Sequence, residues 1–428
     1  MKDYSDATKR FLLAAKNAEI QALKQLSANC QLVTAVKDVI HQMQRERGIS
    51  NIFLGSKGQR FATQRHDQIK ISIDHEQSLR RRLKSLYLNG EASIGHMRLL
   101  SNITLALQGM DNLSLLRHKV EELRITPLQA TQAYCRLIAG LLCVVFEAAD
   151  VASDPAITRL LVALFNFMQG KEYAGQERAW GAIGFAETHF DSTLCDKLEQ
   201  LQIAQKHSFS IFAEFANKEE LDTWQAMEEG ELLADLERFR GMIRQLADGS
   251  SIACEISEVW YDIATKRVDE MQRIEEHITT RLLSAATQSV IDANANLENH
   301  KKQLHQLQTA PLVQSPLTML FDPQMPGLKG SEDSEQTEIN SAEPLSTHRS
   351  FYDLLRGQAA HIKRMATELD EAKRAITEQK VIDRAKLLIM QQWQISEDQA
   401  YRRLQKSAME QNMKIADIAN IVVKQVGR

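Results

Sequence analysis

Only two prolines, Pro127 and Pro155, interrupt the first 310 residues of this 428-residue chain, and none follows Pro344. A proline within a helix removes a backbone hydrogen bond and clashes with the turn before it, so a chain so free of them can run in long helices. With 6% aromatic residues there is little to cover a pleated sheet, and Leu, Ala, Gln, Glu, Lys and Arg, all good helix formers, fill most positions. The expected fold is all-α.

Several functional classes are excluded at the same level. The five cysteines, Cys30, Cys135, Cys143, Cys195 and Cys254, are odd in number and never spaced C-x-x-C, which argues for a reduced, cytoplasmic setting and against a disulfide framework or zinc site. The longest apolar stretch, 137–149, is broken by Gly140 and Glu147, and no secretory signal opens the chain, so no membrane span is expected. The 12 histidines fall into no metal-ligand spacing, and neither a phosphate-binding glycine loop nor a nucleophile elbow occurs. Neither catalysis nor a cofactor or metal is expected.

Five prolines (311, 316, 323, 326, 344) and the acidic run 331–335 lie together in 309–350, which reads as a flexible linker with two basic and six acidic residues. It divides a region 1–308 of net charge −4 from a C-terminal region 351–428 of net charge +4. Periodic segments in the first region predict helical bundles with helices near 4–27, 29–54, 62–88, 94–122, 127–150, 157–186, 191–215, 218–246 and 252–307. The last is a connecting rod of about 80 Å at 1.5 Å per residue. In the second, a coiled-coil-like helix spans 351–392. A capping box at Ser396–Gln399 starts a helix running to about 410, and the last helix begins near Asn412.

Two arginines fall on apolar stripes. Leu32, Val36, Ile40 and Met43 continue at helical spacing to Arg47 and Ser50, and Leu161, Leu164, Met168, Lys171 and Gly175 continue to Arg178, Ala182 and Phe185. A buried guanidinium requires an anionic partner. Glu46, Glu172, Glu177 or Glu187 can supply it in a salt bridge; alternatively two facing arginines clamp a small planar oxoanion through their forked donors. The sequence leaves both readings open.

In the C-terminal region Ala400, Leu404 and Ala408 form one side of a helix, with Arg402 and Lys406 opposite and Arg403 beside them. Tyr401 sits at the border, and the preceding helix adds Lys380, Arg384 and Lys386 around Ile382, Ala385 and Ile389. Basic residues flanking an aromatic suit an RNA loop, where phosphates supply affinity and splayed bases stack. A solvated charged face is the plainer alternative.

Gln44–Ser50 (Gln-x-Glu-Arg-Gly-x-Ser) and Gly175–Ala182 (Gly-Gln-Glu-Arg-Ala-x-Gly-Ala) resemble the motifs of the nitrate- and nitrite-sensing NIT domain over about residues 30–300. The resemblance implies paired helical bundles that bind nitrate or nitrite through arginines, with Arg47 first, Arg178 next, and Arg238 a second clamp from another helix; Ser50, one turn beyond Arg47, is the fourth candidate for this site. It also implies that Gly48 and Gly181 permit close approach. Residues 382–390, 396–404, 408–409 and 414–419 resemble the ANTAR domain over about 351–426, with Leu387 where Gly is frequent. That resemblance implies binding to tandem hairpins in nascent leader RNA, preventing termination. A second copy of the chain is a further candidate partner.

Overall fold

The computed structural model describes residues 2–88, 97–186, 189–246, 256–309, 351–395 and 397–426, and these contain no β-strand. The α-helices are α1 (Lys2–Gly55), α2 (Ala62–Leu83), α3 (Met97–Asp111), α4 (Leu113–Glu121), α5 (Pro127–Asp150), α6 (Pro155–Ala186), α7 (Ser192–Phe215), α8 (Lys218–Glu228), α9 (Glu231–Leu246), α10 (Ile256–Thr309), α11 (Phe351–Trp393), α12 (Glu397–Gln411) and α13 (Ile415–Val426). The expected linker, apart from Thr309 at the end of α10, lies outside the described residues, as does Ser396 of the expected capping box.

The chain divides into two compact units. One comprises residues 1–25 and 286–371, the other residues 26–285 and 372–428. In the first, Leu12, Ile20 and Leu23 of α1 and Ala293 and Leu297 of α10 are buried at helical spacing. In the second, α5, α6, α7 and the neighbouring part of α10 build the core. Phe167 meets the rings of Phe209, Phe212 and Trp224, and Phe185 meets those of Phe190, Phe239 and Trp260, mostly edge to face. A further apolar cluster joins Ile382, Ala385 and Ile389 of α11 to Ala400, Leu404 and Ala408 of α12 and to Ala416, Ile418 and Ala419 of α13.

Local chemistry explains the element boundaries. Thr126 and Gln129 cap α5 reciprocally with Pro127 in its first turn, and Asn217 and Glu220 do the same for α8. The two helices expected over 4–54 are one, α1. Asn29 sits at the expected break but is buried and accepts the Tyr87 hydroxyl at 2.8 Å, with neither Gly nor Pro to stop the helix. The segment expected over 218–246 is instead two helices that part at Glu229–Gly230, and 94–122 breaks at Asn112, whose amide folds back onto the Gln108 carbonyl. Val259 of α10 is exposed; the buried stripe of this helix runs through Trp260, Ala264, Val268, Met271, Ile274, Ile278 and Leu282. Among the described residues α5 alone is long and apolar enough to cross a membrane, and its Tyr134, Ile138, Leu141 and Val145 are core residues here.

Candidate functional site

Arg47 is fully buried on α1 and forms a forked pair with Glu172 of α6, Nη1 to Oε1 at 2.5 Å and Nη2 to Oε2 at 3.2 Å. Glu172 also accepts from the amides of Gln44 and Gln176, each at 2.9 Å, and Arg47 Nη1 reaches Cys135 Sγ at 3.1 Å. Burial works against the Arg47 charge, but the Glu172 carboxylate outweighs it and holds the pKa above the ordinary arginine value. Arg47 therefore has the salt-bridge partner that the sequence left as one of two alternatives.

Arg178 does not. It is buried on α6, where Nη2 donates to the Gln44 carbonyl at 2.8 Å and Nη1 to Thr265 Oγ1 at 3.1 Å, with the Tyr261 ring 5.3 Å away. Among the described residues it forms no ion pair, and its Nε has no hydrogen-bond partner. Burial lowers its pKa; Tyr261 opposes that, and the charge of Arg47 adds to the lowering. A guanidinium desolvated without a carboxylate, beside a second guanidinium, is the arrangement that gains most from an incoming anion.

The two arginines are housed reciprocally. A Cβ on Gly48 of α1 would meet Tyr261 Oη at 2.7 Å and Arg178 Nη2 at 3.1 Å; a Cβ on Gly175 of α6 would meet Arg47 Nη2 at 2.7 Å. Each helix thus carries an arginine and a glycine that makes room for the other helix's arginine. Gly181, also expected to allow close approach, does so against the Trp260 ring rather than against an arginine. Farther along α1, His41 is buried with Nδ1 unpartnered among the described residues. Burial, then the charges of Lys171, Arg45, Arg178 and Lys37, push its pKa down to about 2. Lys171 has its own partner in Glu275 at 2.5 Å.

Ser50 is fully buried, but it lies by the Tyr134 hydroxyl, in a network where Glu46 accepts from Tyr134 at 2.7 Å and from Arg117 at 2.7 and 2.8 Å. Arg238 is not brought to the pair: it is exposed on α9 and bonds Asp235 at 2.7 Å. The inward arginine of α9 is Arg240, forked onto Glu177 of α6 at 2.7 and 2.6 Å. Its place was readable from the stripe Leu233, Leu236, Arg240, Ile243, at helical spacing, whereas Arg238 lies about 200° away around the helix.

In the C-terminal region, Arg384, Arg403 and Lys406 are exposed. Lys386 is half-buried beside Asp383, at 2.7 Å, and Tyr401 packs its half-buried ring on the local core. Two of the expected RNA contacts are engaged by α5 and α7. Lys380 pairs with Asp150 at the end of α5 at 2.6 Å, and Arg402 reaches Oδ2 and the main-chain oxygen of Asp196 on α7, each at 3.2 Å. Arg374 meets Glu214 of α7 at 3.4 Å. Acidic groups of α5 and α7 thus hold Lys380, Arg402 and Arg374.

A sequence profile for nitrate and nitrite sensing matches residues 38–283, and one for the ANTAR domain matches residues 370–423. The chain is similar to the nitrate regulatory protein of Klebsiella oxytoca, 28% identical over 412 residues that cover 96% of this chain and 93% of that protein. It is also similar to the solved structure of the NasR transcription antiterminator, with a TM-score of 0.59 and 26% identity over 97% of this chain and 98% of that one. The match to the sensing profile takes in more than half of the residues, and the chain belongs to the nitrate and nitrite sensing family.

Proposed function

We propose that this chain is a cytoplasmic one-component regulator: nitrate or nitrite binds between α1 and α6 at Arg178 and Arg47, and occupancy frees the C-terminal helices to bind tandem hairpins in leader RNA and prevent termination. The observation that carries the sensor half is the buried Arg178 guanidinium, with no ion-pair partner among the described residues, next to Arg47. A planar oxoanion with two or three acceptor oxygens matches the forked donors of two guanidinium groups. The output half is supported by Arg402 and Lys380, whose pairing with Asp196 and Asp150 competes with pairing to phosphate. Ligand binding shifts the balance only through its differential affinity for the two arrangements, and neutralising Arg178 is such a difference.

The Arg47–Glu172 pair favours a second reading, a helical scaffold with salt-bridged core arginines and no anion response. Binding of the full-length chain to a two-hairpin leader RNA, in nitrate and in chloride at equal ionic strength, separates the two. Tighter binding in nitrate supports the regulator; absence of binding in both salts supports the scaffold.

A further inference from the structure

Of the four tryptophans, Trp224 and Trp260 are buried and Trp180 packs against the core of the helical region, whereas Trp393 is 45% exposed. It is the last residue of α11, followed by Gln394 in the left-handed region at φ 51°, and it is not among the residues that pack on the C-terminal core. Among the described residues its one ring contact is cationic: the guanidinium carbon of Arg403 on α12 stands 4.4 Å from the ring centroid. Among the described residues Arg403 forms no ion pair, in contrast to its neighbour Arg402, which is held by Asp196. An indole that leaves nearly half of its surface in solvent, with a guanidinium over it, presents a flat, electron-rich surface beside exposed cations.

Resting on the RNA-binding reading above, we propose that Trp393 and Arg403 form a stacking platform for an unpaired base of the hairpin loop. The indole provides the stacking surface, Arg403 provides both planar stacking and a charge for the adjacent phosphate, and Arg384 and Lys406, also exposed, extend the positive surface. The class of ligand is a single-stranded nucleobase within RNA. The stack does not discriminate strongly among bases, because every base has a π face; sequence preference then belongs to the polar groups around it.

The test uses the full-length protein in saturating nitrate, with a two-hairpin RNA and the same RNA carrying abasic sites in its loops. Melting of Trp393→Ala and Trp393→Phe, monitored by circular dichroism, establishes that both variants fold. The wild-type chain is expected to bind the abasic RNA about tenfold more weakly than the intact RNA. Trp393→Ala is expected to lose about the same factor on intact RNA and to become indifferent to the abasic change, while Trp393→Phe stays close to wild type. Intact RNA should also quench the emission of the exposed tryptophan. Unchanged affinity of Trp393→Ala on an RNA that the wild type does bind overturns the platform and leaves the RNA-binding reading standing. Failure of the wild type to bind either RNA overturns both.

Discussion

Arg178 of α6 lies against Gly48 of α1 so closely that a single added methyl on the glycine would come within 3.1 Å of its Nη2. The converse holds for Arg47 and Gly175. Yet the two arginines differ in electrostatic state, since Glu172 pairs with Arg47 and no ion pair reaches Arg178 among the described residues. That asymmetry assigns them different tasks.

Replacing Arg178 by Met removes a desolvated charge without orphaning a carboxylate, so the ligand-free protein should lose little stability. The wild-type chain should gain about 2.7 kcal/mol at an anion concentration of 100 times the dissociation constant, and Arg178→Met should gain none. Thermal melting in nitrate against equal chloride measures both; nitrate stabilisation surviving in the variant would rule Arg178 out as the anion's partner.

Arg47→Ala has a different cost. It leaves Glu172 buried and unpaired, which should destabilise the fold by about 3–5 kcal/mol, whereas the double change Arg47→Met with Glu172→Gln should restore most of that. Denaturant titration of the two variants provides the comparison, and a single mutant as stable as wild type would show that the pair does not hold α1 to α6.

His41 makes stability depend on pH. Its pKa falls from 6.5 in the unfolded chain to about 2 in the folded one, so below pH 6.5 the unfolded state takes up a proton that the folded state refuses. The contribution is fully present above pH 6.5 and declines as the pH drops, by about 2 kcal/mol between pH 7.5 and pH 5. Unfolding free energies of wild type and His41→Gln at those two pH values should differ in their pH dependence by that amount; parallel dependence would place the acid sensitivity elsewhere.

The contacts of Asp196, Asp150 and Glu214 with Arg402, Lys380 and Arg374 involve partly exposed groups, so each contributes little to stability. Their effect should appear in RNA binding. Asp196→Ala should raise nitrate-free affinity for hairpin RNA roughly two- to fivefold, and Arg402→Ala should lower affinity and reduce the dependence on salt. Filter binding across a salt series reads both, and an Asp196→Ala protein still silent without nitrate would mean that this pair does not restrain the output.

The all-helical class, most helix positions and the inward faces of Arg47 and Arg178 were legible in the sequence, because periodicity and capping are local and record which side of a helix is apolar. So was the C-terminal core of Ile382, Ala385, Ile389, Ala400, Leu404 and Ala408. Local pattern says that a charge is buried but not what it meets. Four glutamates were candidate partners for the arginines, and only the packing of α1 on α6 gave Glu172 to Arg47, while α9 on α6 gave Glu177 to Arg240. Arg238, which the resemblance offered as a second clamp, is exposed two residues from Arg240, the arginine that α9 turns inward. The spare positive charge of Arg178 and the engagement of Arg402 by Asp196 were decided by tertiary structure. Both depend on distances between helices remote in sequence, and electrostatic energy depends on those distances and on burial rather than on order along the chain.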